Sequence, residues 1–336
     1  MKEHIKILDF IRGIAALSVV VYHFGTSSLP TIKPNYLNDI LVFGKYGVQV
    51  FFVVSGFIIP YSMYKSNYRI NSYFKTLLRR LIRIAPPAYV TMIMLVVLYM
   101  LSLLIKGDGI EGLSWTGVDL KTVVSNLFFI SDYNSSEWYN PVCWTLGIEF
   151  QFYILIGLIL PLLSGNNVIL KYLVLSVLIL SGFIGALSIF RYACFFVFGI
   201  LLFMRKEKLL GDLPHFIFIL FAISLVFYKR GFNEFIFGLS TYLIILSGFT
   251  IDFKWSNFLG KISYSLYIMH WIVGTASEII IKRIVIEPYS EIGKILMLIM
   301  YTVIAVYFSS IFYNLIESPF VSYSRIWTKR LRFKSV

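Results

Sequence analysis

The sequence predicts an all-α integral membrane protein of about ten transmembrane helices, with both termini on the inner side. Long apolar runs recur from near residue 6 to residue 316, and the chain is 58% hydrophobic with a mean hydropathy of +0.80. A soluble domain of 336 residues is less apolar and richer in charge. The ionisable residues gather between the runs, and Lys and Arg favour the termini and the even-numbered connections, which the positive-inside rule places inside. That bias accounts for much of the +13 net charge. Anionic lipid headgroups satisfy it, so no nucleic-acid partner is required.

The expected spans are 6–26, 44–64, 84–105, 143–163, 168–187, 189–204, 213–229, 234–250, 261–281 and 294–316, forming one integral domain over 1–336. The first opens in MKEHIKILDFIRG, a basic start that resembles a signal peptide. Arg12 interrupts its apolar run and no small-x-small site follows promptly, so a retained span is expected. The run carries Arg12 and His23, eleven residues apart. Eleven helical steps return to within about 20° of the start and rise roughly 16 Å, so both side chains share one face. Ionisable residues are expensive in a bilayer and tend to be functional. The alternative is an Arg that snorkels to the interface and a His packed between helices.

The second span, GVQVFFVVSGFIIPY, sets Ser55 and Gly56 among bulky side chains, where small residues admit either a neighbouring helix or a ligand. Pro60 is expected to kink it near its inner end. The inner connection then runs into KTLLRRLIRIAPPAYV, in which Lys75, Arg79 and Arg83 form one helical stripe beside Arg80. Forked guanidinium groups suit phosphate and pyrophosphate, although lipid phosphates alone would also use such an anchor. Pro86 and Pro87 are expected to fix where the third span begins. The outer connection 106–142 carries Asp108, Glu111, Asp119, Asp132 and Glu137 and an apolar piece, VVSNLFFI, too short to cross and suited to the interface.

The fourth span opens VCWTLGIEFQFYIL, with Glu149 about six residues inside the outer boundary, roughly 9 Å deep. A carboxyl there needs a partner or a proton. Cys143 and Cys194 have neither metal-ligand spacing nor a disulfide framework and read as small apolar fillers. In the ninth span, GKISYSLYIMHWIV, Ser263, Tyr267 and His270 share a face. Hydroxyls there also serve simply as interhelical glue. Ser55, Trp144, Tyr267 and His270 are candidates for lining a substrate path. The last span closes YNLIESPF, where Glu317-Ser-Pro reads as a helix stop.

Taken together, Arg12-x10-His23, FFVVSGFII at 51–59, RRLIRIAPPAY at 79–89, WTLGIEFQFY at 144–153, SYSLYIMH at 263–270 and ESPF at 317–320 resemble, in order, the bacterial acyltransferase-3 family of membrane O-acyltransferases. The resemblance implies a multi-pass protein of the bacterial cytoplasmic membrane, of the stand-alone kind without the fused esterase-like domain of some members. It implies transfer of an acyl group, usually acetyl from acetyl-CoA, to a hydroxyl of a cell-envelope glycan or lipid-linked sugar. Arg12, His23 and Glu149 would then be catalytic, and Arg79, Arg80, Arg83 and Lys75 would hold the donor. No metal is expected. A transporter or flippase for an envelope intermediate is the alternative, since buried Arg, His and Glu also suit a polar solute path. Against it, no paired interrupted spans in two related halves are visible. A scaffold with polar glue would leave the basic inner cluster and the shared face of Arg12 and His23 unexplained.

Overall fold

Lys6–His23 forms α1, a largely apolar stretch with no proline that continues through Arg12 and Gly13, and the turn that follows, Phe24–Ser28, widens to a π-helix. The structure, a computed structural model, describes residues 5–29, 32, 35–106, 119–184, 188–284 and 290–332. The remaining helices are α2 (Asn35–Val42), α3 (Gly47–Tyr64), α4 (Tyr73–Lys106), α5 (Leu120–Leu127), α6 (Trp144–Ser164), α7 (Val168–Ser181), α8 (Ser188–Lys206), α9 (Asp212–Arg230), α10 (Phe232–Leu246), α11 (Lys254–Ile284), α12 (Glu291–Phe312) and α13 (Ser318–Arg332). There is no strand among the described residues. Among the described residues, six helical segments are long and apolar enough to cross a bilayer, and α7 and α10 are apolar but shorter. The chain is therefore an all-helical, multi-span membrane protein. Of the outer acidic residues, Asp108 and Glu111 lie outside the described residues.

The helices pack as two compact units, one of Met1–Ala15, Tyr46–Leu77 and Ile148–Lys261, the other of Ala16–Lys45, Leu78–Gly147 and Ile262–Val336. In the first unit α3 lies against α8 at backbone distance. A Cβ on Gly56 would stand 2.2 Å from the Phe196 carbonyl oxygen, and one on Gly199 would stand 2.2 Å from that of Val53. Only glycine permits that approach, so the small-residue signal at Gly56 is a packing signal. Cys194 is buried here and Cys143 in the second unit, both as free thiols.

Two expected boundaries move. Pro86 and Pro87 do not start a helix, since α4 runs through them from Tyr73 to Lys106. The basic stripe and the third span are thus one helix. Glu317-Ser-Pro does not stop one either: Tyr313–Glu317 is a π-helix and α13 follows at once. Pro319 falls in the first turn of α13, where a missing N–H costs least, and the wide turn absorbs the break in the ladder. Pro60 likewise lies inside α3 without ending it. The first five residues of the piece VVSNLFFI fall in a short helix, α5, and the last three lie beyond its end; α5 is capped by Asp119, whose carboxylate accepts from the Thr122 N–H at 2.9 Å.

Candidate active site

Because α1 is unbroken, Arg12 and His23 keep their eleven-residue spacing on one helix. His23 ends it. Its imidazole stacks on that of His270, with centroids 5.2 Å apart and planes 28° apart, and meets the edge of Trp271 at 5.0 Å. Phe24 and Tyr267 stand edge-on to His270 at 6.3 and 5.9 Å. The local sequence builds this meeting. The π-turn after His23 swings Phe24 against α11 at Gly274, where a Cβ would come within 2.6 Å of the ring. Gly274 is one turn beyond His270, so the glycine that seats Phe24 also brings the two imidazoles together. π-turns of this kind recur at functional sites. His270 is fully buried, and among the described residues neither of its ring nitrogens has a hydrogen-bond partner. A buried group left so is costly and invites a functional explanation.

Tyr264, Ser265 and Tyr267 of SYSLYIMH tie α11 to different neighbours. The Tyr264 hydroxyl donates to the Ile84 carbonyl at 2.6 Å, and Ser265 donates to the buried Glu317 carboxylate at 2.6 Å. The hydroxyls of Tyr267 and Thr145 share a hydrogen bond at 3.0 Å. Asn140, fully buried, donates through its amide to Thr91 Oγ1 at 3.0 Å and to the Ile268 carbonyl at 2.9 Å. It fastens the segment before α6 to α4 and to α11, two residues from His270. Sequence reasoning missed Asn140, although Asn-Pro at 140–141 is a turn signal. It also missed Trp271, which adjoins His270. Trp144 opens α6, half-buried.

The other unit holds Arg12, Ser55, Lys75 and Glu149. Ser55 Oγ on α3 lies 3.4 Å from Glu149 Oε1, and the Tyr153 hydroxyl, one turn along α6, donates to the same oxygen. Tyr153 was not singled out from the sequence, although its i+4 spacing from Glu149 is the signal that finds such pairs. Arg12, Lys75, Arg79 and Arg80 are half-buried and Arg83 is exposed. Lys75, Arg79 and Arg83 keep their stripe because α4 is continuous. Chemically, the imidazole pair can take up a proton in an aromatic enclosure, and the α4 stripe can meet a polyphosphate.

No solved structure matches the chain. A provisionally named O-acetyltransferase of Staphylococcus aureus (strain COL) is 31% identical over 168 residues, covering 47% of this chain and 25% of that one. The O-acetyltransferase OatA of Staphylococcus aureus (strain NCTC 8325) is 29% identical over 166 residues, or 46% and 24%, and OatA of strain MRSA252 matches equally. The matched stretch is thus about a quarter of these relatives' own length. The family model for the acyltransferase-3 domain matches residues 5–314, nearly the whole chain and every segment that builds the imidazole pair, so the chain belongs to the acyltransferase-3 family.

Proposed function

We propose that this chain is a membrane O-acyltransferase that moves an acetyl group from cytoplasmic acetyl-CoA to a hydroxyl of a cell-envelope glycan or lipid-linked sugar in the bacterial cytoplasmic membrane. The observation that carries the reading is the imidazole pair, His23 on His270, at the end of the Arg12-x10-His23 segment in a chain of this family. Acyl transfer from a thioester needs a base for the hydroxyl, a stabilised oxyanion and a held donor. His23 takes the hydroxyl proton as the oxygen attacks the thioester carbonyl carbon. The C–O bond forms, the C–S bond breaks, and the CoA thiolate leaves with a proton returned by the imidazolium. His270 and Trp271 fix the ring plane of His23. Arg12 steadies the carbonyl or the CoA arm, and Arg79, Arg80, Arg83 and Lys75 hold its phosphates. Glu149 is the remaining proposed catalytic residue, and Ser55, Trp144 and Tyr267 are proposed for the acceptor's path.

Purified protein in lipid, given labelled acetyl-CoA and candidate glycans, tests this. Label should move to the glycan and CoA should be released. Glycan crossing the bilayer with no acetyl transfer would instead favour the flippase reading. Replacing Arg80 or Arg83 should weaken acetyl-CoA binding in a salt-sensitive way; unchanged donor affinity in all single variants and in the triple Arg79, Arg80 and Arg83 variant would reject that assignment. Arg12→Lys should fail, because a point charge does not replace a planar fork. Glu149→Gln should lower the rate and shift its pH profile. Cysteine accessibility should place Asn67 inside and Ser135 outside.

A further inference from the structure

Three cations gather at the end of the first unit where α7 and α9 finish and α8 and α10 begin. Arg191, Lys229 and Arg230 border a cavity of about 200 Å³ whose apolar wall includes Phe183, Phe195 and Leu225. Arg230 is held in place: its Nε donates to Glu234 at 2.9 Å and its guanidinium lies 4.9 Å over the Tyr192 ring. The Lys229 ammonium sits over the rings of Phe183 and Tyr228, at 5.0 and 5.5 Å. Arg191 is exposed. Among the described residues, neither Arg191 nor Lys229 is paired with a carboxylate.

Ordinary helix electrostatics explains part of this group. Lys229 and Arg230 occupy the last turn of α9, where the macrodipole favours cations. Arg191 lies in the first turn of α8, where the same dipole disfavours one. In the orientation expected from the basic-residue bias this end faces outward, so the positive-inside rule does not ask for the cluster either. An uncompensated guanidinium beside two aromatic-seated cations and an apolar wall describes a receptor for an anion that carries its own apolar part.

We propose that this cavity binds the phosphate of an anionic membrane amphiphile, the phosphate meeting Arg191, Lys229 and Arg230 and the first methylenes of its apolar portion lying against Phe183, Phe195 and Leu225. Guanidinium forks match phosphate oxygens bidentately, and the wall distinguishes a lipid-borne phosphate from a free one. The site is separate from the imidazole pair and does not depend on the proposed reaction.

The test uses the full chain in nanodiscs of phosphatidylcholine mixed equally with phosphatidylglycerol, extracted into mild detergent, with retained lipid counted by native mass spectrometry. A soluble short-chain phosphatidylglycerol and inorganic phosphate serve as competitors. Each cation near a membrane surface is worth about fivefold in affinity. The double variant Arg191→Gln, Lys229→Gln should therefore weaken phosphatidylglycerol retention by about 25-fold, leave phosphatidylcholine unchanged and keep the parent elution profile. Exchanging the two cations, as Arg191→Lys with Lys229→Arg, should restore most of it. Glu234→Gln should strengthen retention by a few fold. Parent-like phosphatidylglycerol retention in the double variant overturns the proposal. So does inorganic phosphate competing as well as the short-chain lipid, since the apolar wall would then contribute nothing.

Discussion

The two units both join helices by close packing and by side-chain hydrogen bonds, as Gly44 against Ser18 in the second and His215 with Tyr242 in the first show, but the fullest example of each device lies in a different unit. In the first, α3 and α8 meet backbone to backbone through Gly56 and Gly199. Several of its ion pairs lie near helix ends, as in Lys65–Glu207 and Arg230–Glu234. In the second, side chains deep in the unit tie helix to helix: Asn140 to Thr91 and Ile268, Tyr267 to Thr145, Ser265 to Glu317. Close packing fixes a distance at little electrostatic risk. A hydrogen bond also fixes a direction, at the risk of a stranded polar group if one partner fails. The imidazole pair lies among the hydrogen-bonded residues Asn140, Tyr267 and Ser265, as a site whose ring planes must be held requires.

The largest effect should come from the end point of that scaffold. His23→Ala should lower acetyl transfer by about 10²–10⁴-fold without loss of expression, the typical worth of a positioned general base. His270→Ala should cost less, through looser orientation of His23, and should raise KM and lower kcat together. Turnover is measured on folded protein at matched levels and saturating acetyl-CoA. Full turnover by His23→Ala would make the pair structural and return both residues to helix packing.

Next come the steric contacts of the other unit. Gly56→Ala or Gly199→Ala must push a methyl to within 2.2 Å of a carbonyl oxygen, so the helices have to part. The expected loss is about 3 kcal/mol or more, read from thermal unfolding in detergent. Ser55→Ala, which loses only a 3.4 Å contact to Glu149, should cost under about 1 kcal/mol. Equal effects at positions 55 and 56 would contradict the assignment of distance to Gly56. In the second unit, Asn140→Ala removes the hydrogen bonds to the Thr91 hydroxyl, which keeps its bond to the Ala88 carbonyl at 2.8 Å, and to the Ile268 carbonyl inside α11, and should cost about 0.5–1.5 kcal/mol for each bond lost. Because Ile268 adjoins the site, it should also reduce turnover at temperatures where the protein remains folded, whereas Gly56→Ala should act through folding alone.

The contrast also explains what was legible in the sequence. Apolar length reports on helices crossing a membrane, so the all-helical, multi-span class could be read directly; against ten expected spans, six helical segments among the described residues are long and apolar enough to cross. The two positions where proline misled, Pro86-Pro87 and Glu317-Ser-Pro, are places where a neighbouring element overrides local propensity: α4 continues, and a π-turn lets α13 follow. His23 and His270 each stood out as ionisable residues in apolar runs, but their stacking depends on Gly274 admitting Phe24, a fact of packing with no periodic trace. Asn140 is invisible for the same reason: its two acceptors come from residues 49 behind and 128 ahead.

The smallest effect separates the units by pH. Each has a helix opened by an Asx cap: Asn167 accepts from the Leu170 N–H at 3.0 Å at the start of α7, and Asp119 accepts from Thr122 at the start of α5. The Thr122 hydroxyl, at 2.6 Å, and its N–H hold the Asp119 carboxyl below the usual carboxylate range. A depressed native pKa means that the carboxylate favours the folded helix. That contribution is complete above the unfolded value near 3.9 and is lost as pH falls through the lowered native value. The Asn167 amide does not titrate. Amide hydrogen exchange, corrected for intrinsic rates, should therefore show protection at the first turn of α5 fading in acid while that of α7 stays constant. Asp119→Asn should keep the cap and remove the acid dependence. Asn167→Ala should cost α7 about 1 kcal/mol at every pH. If α5 in the parent protein were as indifferent to acid as α7, the two caps would be equivalent, and the Thr122 hydrogen bonds would not be what holds the start of α5.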